Sequence, residues 1–419
     1  MNQKVKFSGY AVFVGCLLLM IFPGGLLSYT SGLFMYPICQ EFGYSTTAFS
    51  ITNTVAAAVN AIVSAFLVQY LSKGKPGVMR IVMLVSGVIT CGGFALMSRC
   101  TQLWQFYVMS GVWNLGYNML TFVPVGMLIT NWFVNKRALL TGIAYAGSNL
   151  GGAIFNTVMS QIMAAQGWRQ AYIFGGISCL VAVVIAVLLI KRSPAEYGQK
   201  ALGEGEAQQS GSGSSQKVWL GVDKKTAMKT PAFYIICIAM FLTGIYAAGI
   251  TNHVTNFLCT GSWEITAAGT VMTAFTIFGI VGNSGGGAIV GKVGMKRSLV
   301  LGITLLLVSI VSLIFASDVK PLAYVWAGFQ GVAAFMSVLI PSLIVSSTFG
   351  ARDYAGIYGF AYAFYLVGCA VSAPAIALIA DNAGYRVAWI VVAVIIAVLG
   401  VMLMRCAAYG KKLHEQYPD

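Results

Sequence analysis

Twelve stretches of this chain run for about 20 residues or more with almost no charge: 8–38, 45–71, 79–98, 103–131, 137–164 and 170–190, then 231–259, 264–290, 297–316, 321–348, 353–380 and 386–406. About 20 apolar residues are what an α-helix needs to cross the hydrocarbon of a bilayer. Helices are expected because a helix saturates its own backbone hydrogen bonds, whereas barrel strands would show about ten residues of alternating polarity, a pattern missing here. Charged residues make up 9% of the chain and hydrophobic ones 58%, against about 25% charged in a soluble domain. That leaves too little polar surface for water. The first run exceeds the apolar core of a signal peptide and lacks a cleavage site, so it reads as the first spanning helix. The expected class is an all-α membrane protein with twelve transmembrane helices.

The chain also repeats itself. Shifted by 217 positions, Gly74-Lys75-Pro76-Gly77-Val78-Met79-Arg80 falls on Gly291-Lys292-Val293-Gly294-Met295-Lys296-Arg297, and Pro124 falls on Pro341. Gly142 and Tyr145 fall on Gly359 and Tyr362, and Gly167-Trp168-Arg169 on Gly384-Tyr385-Arg386. Several matches in one order at one offset indicate duplication of a six-helix unit. Residues 1–191 are expected to form one bundle and 231–419 a second with a short tail. Residues 192–230, rich in Gly, Ser, Gln and Glu, form the linker between them,. Within it, 224–231 reads as a short amphipathic piece leading into the seventh helix, with Pro231 suited to a first helical turn.

A net charge of +14 invites a nucleic-acid reading, but the positions of the charges oppose it. With both termini cytoplasmic, 21 of the 25 Lys and Arg lie inside, leaving Arg99, Arg169, Lys320 and Arg386 outside. This is the positive-inside pattern of a multi-pass cell-membrane protein, and it leaves no basic face for a nucleic acid. The expected partners are the lipid bilayer and a small-molecule substrate, and the expected state is monomeric. The nine cysteines have no metal-like or redox-like spacing and read as small packing residues,. No metal or cofactor is expected.

Two same-sense halves, a central loop and a basic glycine turn after the second and eighth segments resemble the major facilitator superfamily. The turn at 287–297 follows that family's signature except that Gly291 stands at its Asp position; the first-half copy keeps Lys75, Gly77 and Arg80. Ser31-Gly32-Leu33-Phe34-Met35-Tyr36-Pro37, the stretch from Trp132-Phe133-Val134-Asn135-Lys136-Arg137 through 147, and Thr230-Pro231-Ala232-Phe233-Tyr234 resemble the monocarboxylate transporter and oxalate/formate antiporter branch. The resemblance implies the major facilitator fold, alternating access and a substrate site near the midplane between the repeats. It also shows what is missing. The eighth-helix Arg of such carriers falls on Asn283, its acidic partner on Gly279, and the eleventh-helix Lys of the oxalate carriers on Tyr365.

Every Asp and Glu lies in a loop, a tail or a helix end, so no embedded carboxylate is available to carry a proton. The substrate-binding candidates are therefore mid-helix amides, tyrosines and one imidazole: Tyr29, Asn118, Tyr145, Asn149, His253, Asn283, Tyr362 and Tyr365. For amides the competing role is bonding between helices, worth about 1 kcal/mol. His253, flanked by Asn252 and Asn256, has two readings, a substrate or proton contact and a packing histidine bonded to a backbone carbonyl. Gly282, Gly285, Gly286 and Gly287 read as places of close helix approach or bending. Lys75, Arg80, Lys292, Arg297 and Asp353 are gating candidates. Asp353 opens the eleventh helix and is placed to pair with Lys75 or Arg80, or to stand as a solvated helix-end acid.

The expected function is secondary or facilitative transport of a small organic solute by alternating access, with a small organic acid as the leading substrate class. A neutral or aromatic metabolite is the competing class, and a non-transporting receptor or assembly protein on the same fold is the other kind of function. Two histidines and no buried carboxylate leave nothing for an acid–base catalytic site, so no enzyme is expected,.

Overall fold

The computed structural model of the chain describes residues 8–73, 78–133, 137–194, 199, 201–202, 221–350 and 352–416. The long helices are α1 (Gly9–Phe42), α2 (Thr46–Lys73), α3 (Val78–Arg99), α4 (Leu103–Trp132), α5 (Arg137–Gln166) and α6 (Trp168–Leu189). After the five-residue helix Lys224–Met228 come α7 (Pro231–Thr260), α8 (Ile265–Val293), α9 (Met295–Ile314), α10 (Pro321–Phe349), α11 (Tyr354–Ala383) and α12 (Tyr385–Gln416). Among the described residues, eleven helices are long and apolar enough to cross a membrane. The remaining long one, α5, is 30 residues and is diluted by Asn149, Asn156, Thr157, Ser160 and Gln161. Among the described residues the sole β feature is one bridge between Phe133 and Leu202.

Helix ends depart from the apolar runs where polar residues still favour helix. The twelfth run ends at 406, yet α12 continues to Gln416 through Lys411, Lys412, Leu413, Glu415 and Gln416, all good helix formers. Hydropathy marks the depth of the bilayer; propensity carries the helix beyond it.

Two compact units are present. The first comprises Met1–Phe34 with Val55–Ser214. In it α1 packs on α5, and α3 on α4 and α6. Pro23 sits inside α1, and Met20–Leu27 there is wound as a π-helix. Proline lacks the amide hydrogen and crowds the carbonyl four residues back, and a widened turn is one way a helix accommodates it. A Cβ on Gly151 of α5 would collide with the Ile21 carbonyl of this turn, so only glycine permits the approach. The core beside it is aromatic: Phe34 stacks on Tyr172 with centroids 3.7 Å apart, and Phe94 meets Tyr172 edge-on at 4.9 Å.

The second unit comprises Met35–Thr54 with Ser215–Asp419. The pairings of the first recur, with α7 on α11 and α9 on α12, and α8 packs on α10. Gly282 and Gly286 of α8 give the close approach expected of them, against the backbone of Gly331 and Val332 and against Phe335; Gly285 faces open space and Gly287 is in loose contact only. The end of α1 and the start of α2 attach to this unit through side chains. Thr47 donates its amide and hydroxyl to Asp381 Oδ2 at 2.8 and 2.7 Å, and Thr54 Oγ1 donates to the Ala370 carbonyl at 2.6 Å.

Candidate functional site

In the first unit, the α1–α5 contact brings two candidates together. Tyr29 donates its hydroxyl to Asn149 Oδ1 at 3.0 Å, with Asn149 buried and Tyr29 half-buried. Tyr145, on α5, gives its hydroxyl to the Phe122 carbonyl at 2.8 Å, where α4 restarts after an interruption at 118–121, and lies edge-on to the Phe122 ring. Asn118 donates to the Asn60 carbonyl at 2.8 Å. Asn60 itself, on α2, donates to Asn114 Oδ1 at 2.7 Å, and Asn114 donates to the Ser110 carbonyl at 2.9 Å. Asn60 was not among the sequence candidates. Its sequence signal is an amide inside the apolar run of α2, which Asn53 shares; its side-chain oxygen is buried with no partner among the described residues.

In the second unit, His253 is fully buried with both ring nitrogens engaged, by Tyr385 Oη at 3.1 Å and the Ala373 carbonyl at 2.8 Å. A carbonyl only accepts, so Nε2 carries the proton and Nδ1 accepts from the Tyr385 hydroxyl in the neutral ring. Asn256 Nδ2 in turn donates to Tyr385 Oη at 2.6 Å. The polar patch on α7 is thus tied to α11 and α12, and Tyr385 is the member the sequence did not single out. Asn283, half-buried on α8, has a side-chain oxygen sealed from solvent with no partner among the described residues. Tyr362 and Tyr365 are brought together on α11 as stacked rings, centroids 5.2 Å apart and 19° from parallel.

The gating candidates lie near helix ends. Lys75 is outside the described residues. Arg80 Nε donates to the Ile190 carbonyl at 2.7 Å, satisfying a free carbonyl at the end of α6,. Asp353 precedes α11 and accepts the Lys224 amide at 3.1 Å, which anchors the five-residue helix at the end of the linker. Beside it the Val222 amide donates to the Phe349 carbonyl at 3.0 Å. Lys292 and Arg297 are exposed. Arg297 borders a cavity of about 620 Å3 with Lys296, Ser347, His414 and Glu415.

Long apolar helices with amides, tyrosines and an imidazole inside their spans are the make-up of a multi-pass membrane protein. The comparisons with known proteins agree. The chain matches the Major Facilitator Superfamily over residues 17–260 and 232–416, and it belongs to that family. It is 33% identical over 147 residues to the uncharacterized transporter ESBP6 of Saccharomyces cerevisiae, a match spanning 33% of this chain and 21% of that one. It is 23% identical over 393 residues to the oxalate:formate antiporter of Oxalobacter formigenes, spanning 90% of this chain and 86% of that one. The fold matches a bacterial homolog of the human lysosomal transporter Spinster with a TM-score of 0.72 and 12% identity, over 99% of both chains. The chain is a multi-pass membrane transporter of the major facilitator superfamily.

Proposed function

We propose that this transporter moves a small organic acid across the cell membrane by alternating access, and that it holds the acid with neutral hydrogen-bonding groups. The observation that carries this reading is Asn283. Its side-chain oxygen is buried and unpaired among the described residues, a state that costs about 1–3 kcal/mol. It stands where the resembling carriers place a cation. The unpaired atom is an acceptor, so the solute that offsets that cost donates to it through a hydroxyl or a protonated carboxyl group, which makes Asn283 a binding group without a charge. The name of the oxalate:formate antiporter supports the substrate class.

Tyr29, Asn118, Tyr145, Asn149, His253, Tyr362 and Tyr365 complete the proposed binding set. The proposed units of transport are the two six-helix halves, 1–191 and 231–419, in a monomer with both termini cytoplasmic, an orientation supported by the distribution of Lys and Arg. Asp353 and the basic residues Lys75, Arg80, Lys292 and Arg297 form the proposed cytoplasmic gate. Asp353→Asn should then change the transport rate, and an unchanged rate removes Asp353 from the gate.

The substrate class is tested by thermal-shift screening of the purified chain against monocarboxylates, dicarboxylates and neutral metabolites. Acids should raise the melting temperature of the wild-type chain, and Asn283→Ala should lose that response while folding normally. A response confined to neutral compounds would overturn the acid reading.

A further inference from the structure

The tyrosines of α11 form a longer row than the two the sequence singled out. Tyr354 and Tyr358 stack at 5.4 Å and 9°, Tyr358 and Tyr362 at 5.5 Å and 28°, and Tyr362 and Tyr365 at 5.2 Å and 19°. Steps of four, four and three residues keep all four rings on one helical face. If packing were the whole purpose, phenylalanine would serve without a hydroxyl to satisfy. The Tyr358 and Tyr362 hydroxyls have no hydrogen-bond partner among the described residues, and Tyr362 is 37% exposed.

A separate observation on α7 points to the same place. A Cβ on Gly244 would collide with the Tyr365 carbonyl, so the backbones of α7 and α11 touch there, and Tyr246 comes beside Tyr365. Tyr246 is 1% exposed and its hydroxyl has no hydrogen-bond partner among the described residues; the nearby Ser337 hydroxyl donates to the Ala334 carbonyl at 3.0 Å. A row of near-parallel rings with free hydroxyls at Tyr358 and Tyr362, backed by the buried Tyr246 hydroxyl, presents π surface and hydrogen-bond donors together. Aromatic rings meet such a row in offset or edge-to-face contact, and the free hydroxyls suit the oxygens of a carboxylate.

We propose that the tyrosine row of α11 binds a flat, unsaturated ring on the transported solute, so that the substrate class is aromatic or conjugated carboxylic acids. The proposal deepens the organic-acid reading and rests on it for the carboxylate alone.

The test is isothermal titration of the full-length chain in detergent with three probes: benzoate, cyclohexanecarboxylate and benzamide. The two acids share charge and size and differ in ring planarity, and the saturated ring is no less apolar, so a preference for benzoate reports stacking rather than hydrophobicity. Benzoate should bind about three- to tenfold tighter than cyclohexanecarboxylate, the range that aromatic pairing supplies. Tyr362→Leu should abolish that ratio, and Tyr362→Phe should keep it. Equal binding of the two acids by the wild-type chain overturns the ring proposal and leaves the acid reading standing. Preserved discrimination in Tyr362→Leu and in Tyr358→Leu also overturns it. Benzamide binding as tightly as benzoate, with the saturated acid weaker, upholds the ring and sinks the acid. If none of the three binds, the ring proposal falls too.

Discussion

Tyr29 donates its hydroxyl to Asn149 Oδ1 across the α1–α5 contact, joining two of the residues that the sequence proposed for the substrate. It forms where Gly151 lets the two backbones meet beside the widened turn around Pro23. The local irregularity of α1 and the polar pair are therefore one arrangement.

Removing the donor with Tyr29→Phe leaves a buried amide oxygen unpaired. Interhelical hydrogen bonds in membranes average about 0.6 kcal/mol and reach about 1.7, so a loss of about 1 kcal/mol is expected in a detergent unfolding titration. A double-mutant cycle with Asn149→Ala should recover a coupling of similar size. Additive effects would mean that the pair does not hold α1 to α5.

Around His253, the order of donation runs from Asn256 Nδ2 to Tyr385 Oη, on to His253 Nδ1, and from Nε2 to the Ala373 carbonyl. Tyr385→Phe breaks two of these links, leaving His253 Nδ1 unpaired and Asn256 Nδ2 with only its 3.5 Å bond to Thr46 Oγ1. A loss of about 2 kcal/mol or more is expected, and nitrogen-15 spectra of the wild-type ring should show the proton on Nε2. A proton on Nδ1 at neutral pH would contradict this order.

Asp381 caps a helix of which it is not part. Its carboxylate takes the amide and hydroxyl of Thr47 in the first turn of α2, where backbone donors have no helical acceptor. Asp381→Ala should cost about 0.5–1 kcal/mol, since the site is exposed,. It should also speed hydrogen exchange at the Thr47 amide, while Asp381→Asn, which can still accept, should change exchange less. Unchanged exchange in Asp381→Ala would mean that the cap has no effect.

Acid should loosen the short helix Lys224–Met228. The Thr226 hydroxyl bonded to Asp223 holds that carboxyl below its ordinary value. A group whose folded pKa is depressed adds stability that is fully present above its unfolded pKa, about 3.9, and is lost as pH falls through the lower folded value. Protection of the 224–228 amides, taken as exchange relative to the intrinsic rate at each pH, should fall below about pH 4, and Asp223→Asn should remove that step. An identical acid profile in the variant would assign the change to other groups.

The helical membrane class was legible because composition and run length depend on the bilayer alone, and the same pairings recur in both units as duplication implies. Partners were less legible. Tyr362 and Tyr365 could be placed together because three residues apart on a helix is a fixed geometry, and the same rule applied two turns back reaches Tyr358 and Tyr354. Asn60 and Tyr385 could not be assigned to Asn118 and His253, because those bonds depend on how separate helices are rotated against each other. Hydropathy is equally silent on why Met35–Thr54 attaches to the second unit, since that follows from Thr47 and Thr54 reaching Asp381 and Ala370.

The most direct test of the central claim, carriage of an organic acid by uncharged groups, is counterflow. Proteoliposomes containing the full-length chain are preloaded with an unlabelled acid that binds in the thermal-shift screen and given the labelled acid outside. Wild-type protein should show trans-stimulated accumulation, and Asn283→Ala should reduce it about tenfold or more, the equivalent of about 1.4 kcal/mol. Absence of trans-stimulation for every acid that binds, or full counterflow in Asn283→Ala, would contradict the account.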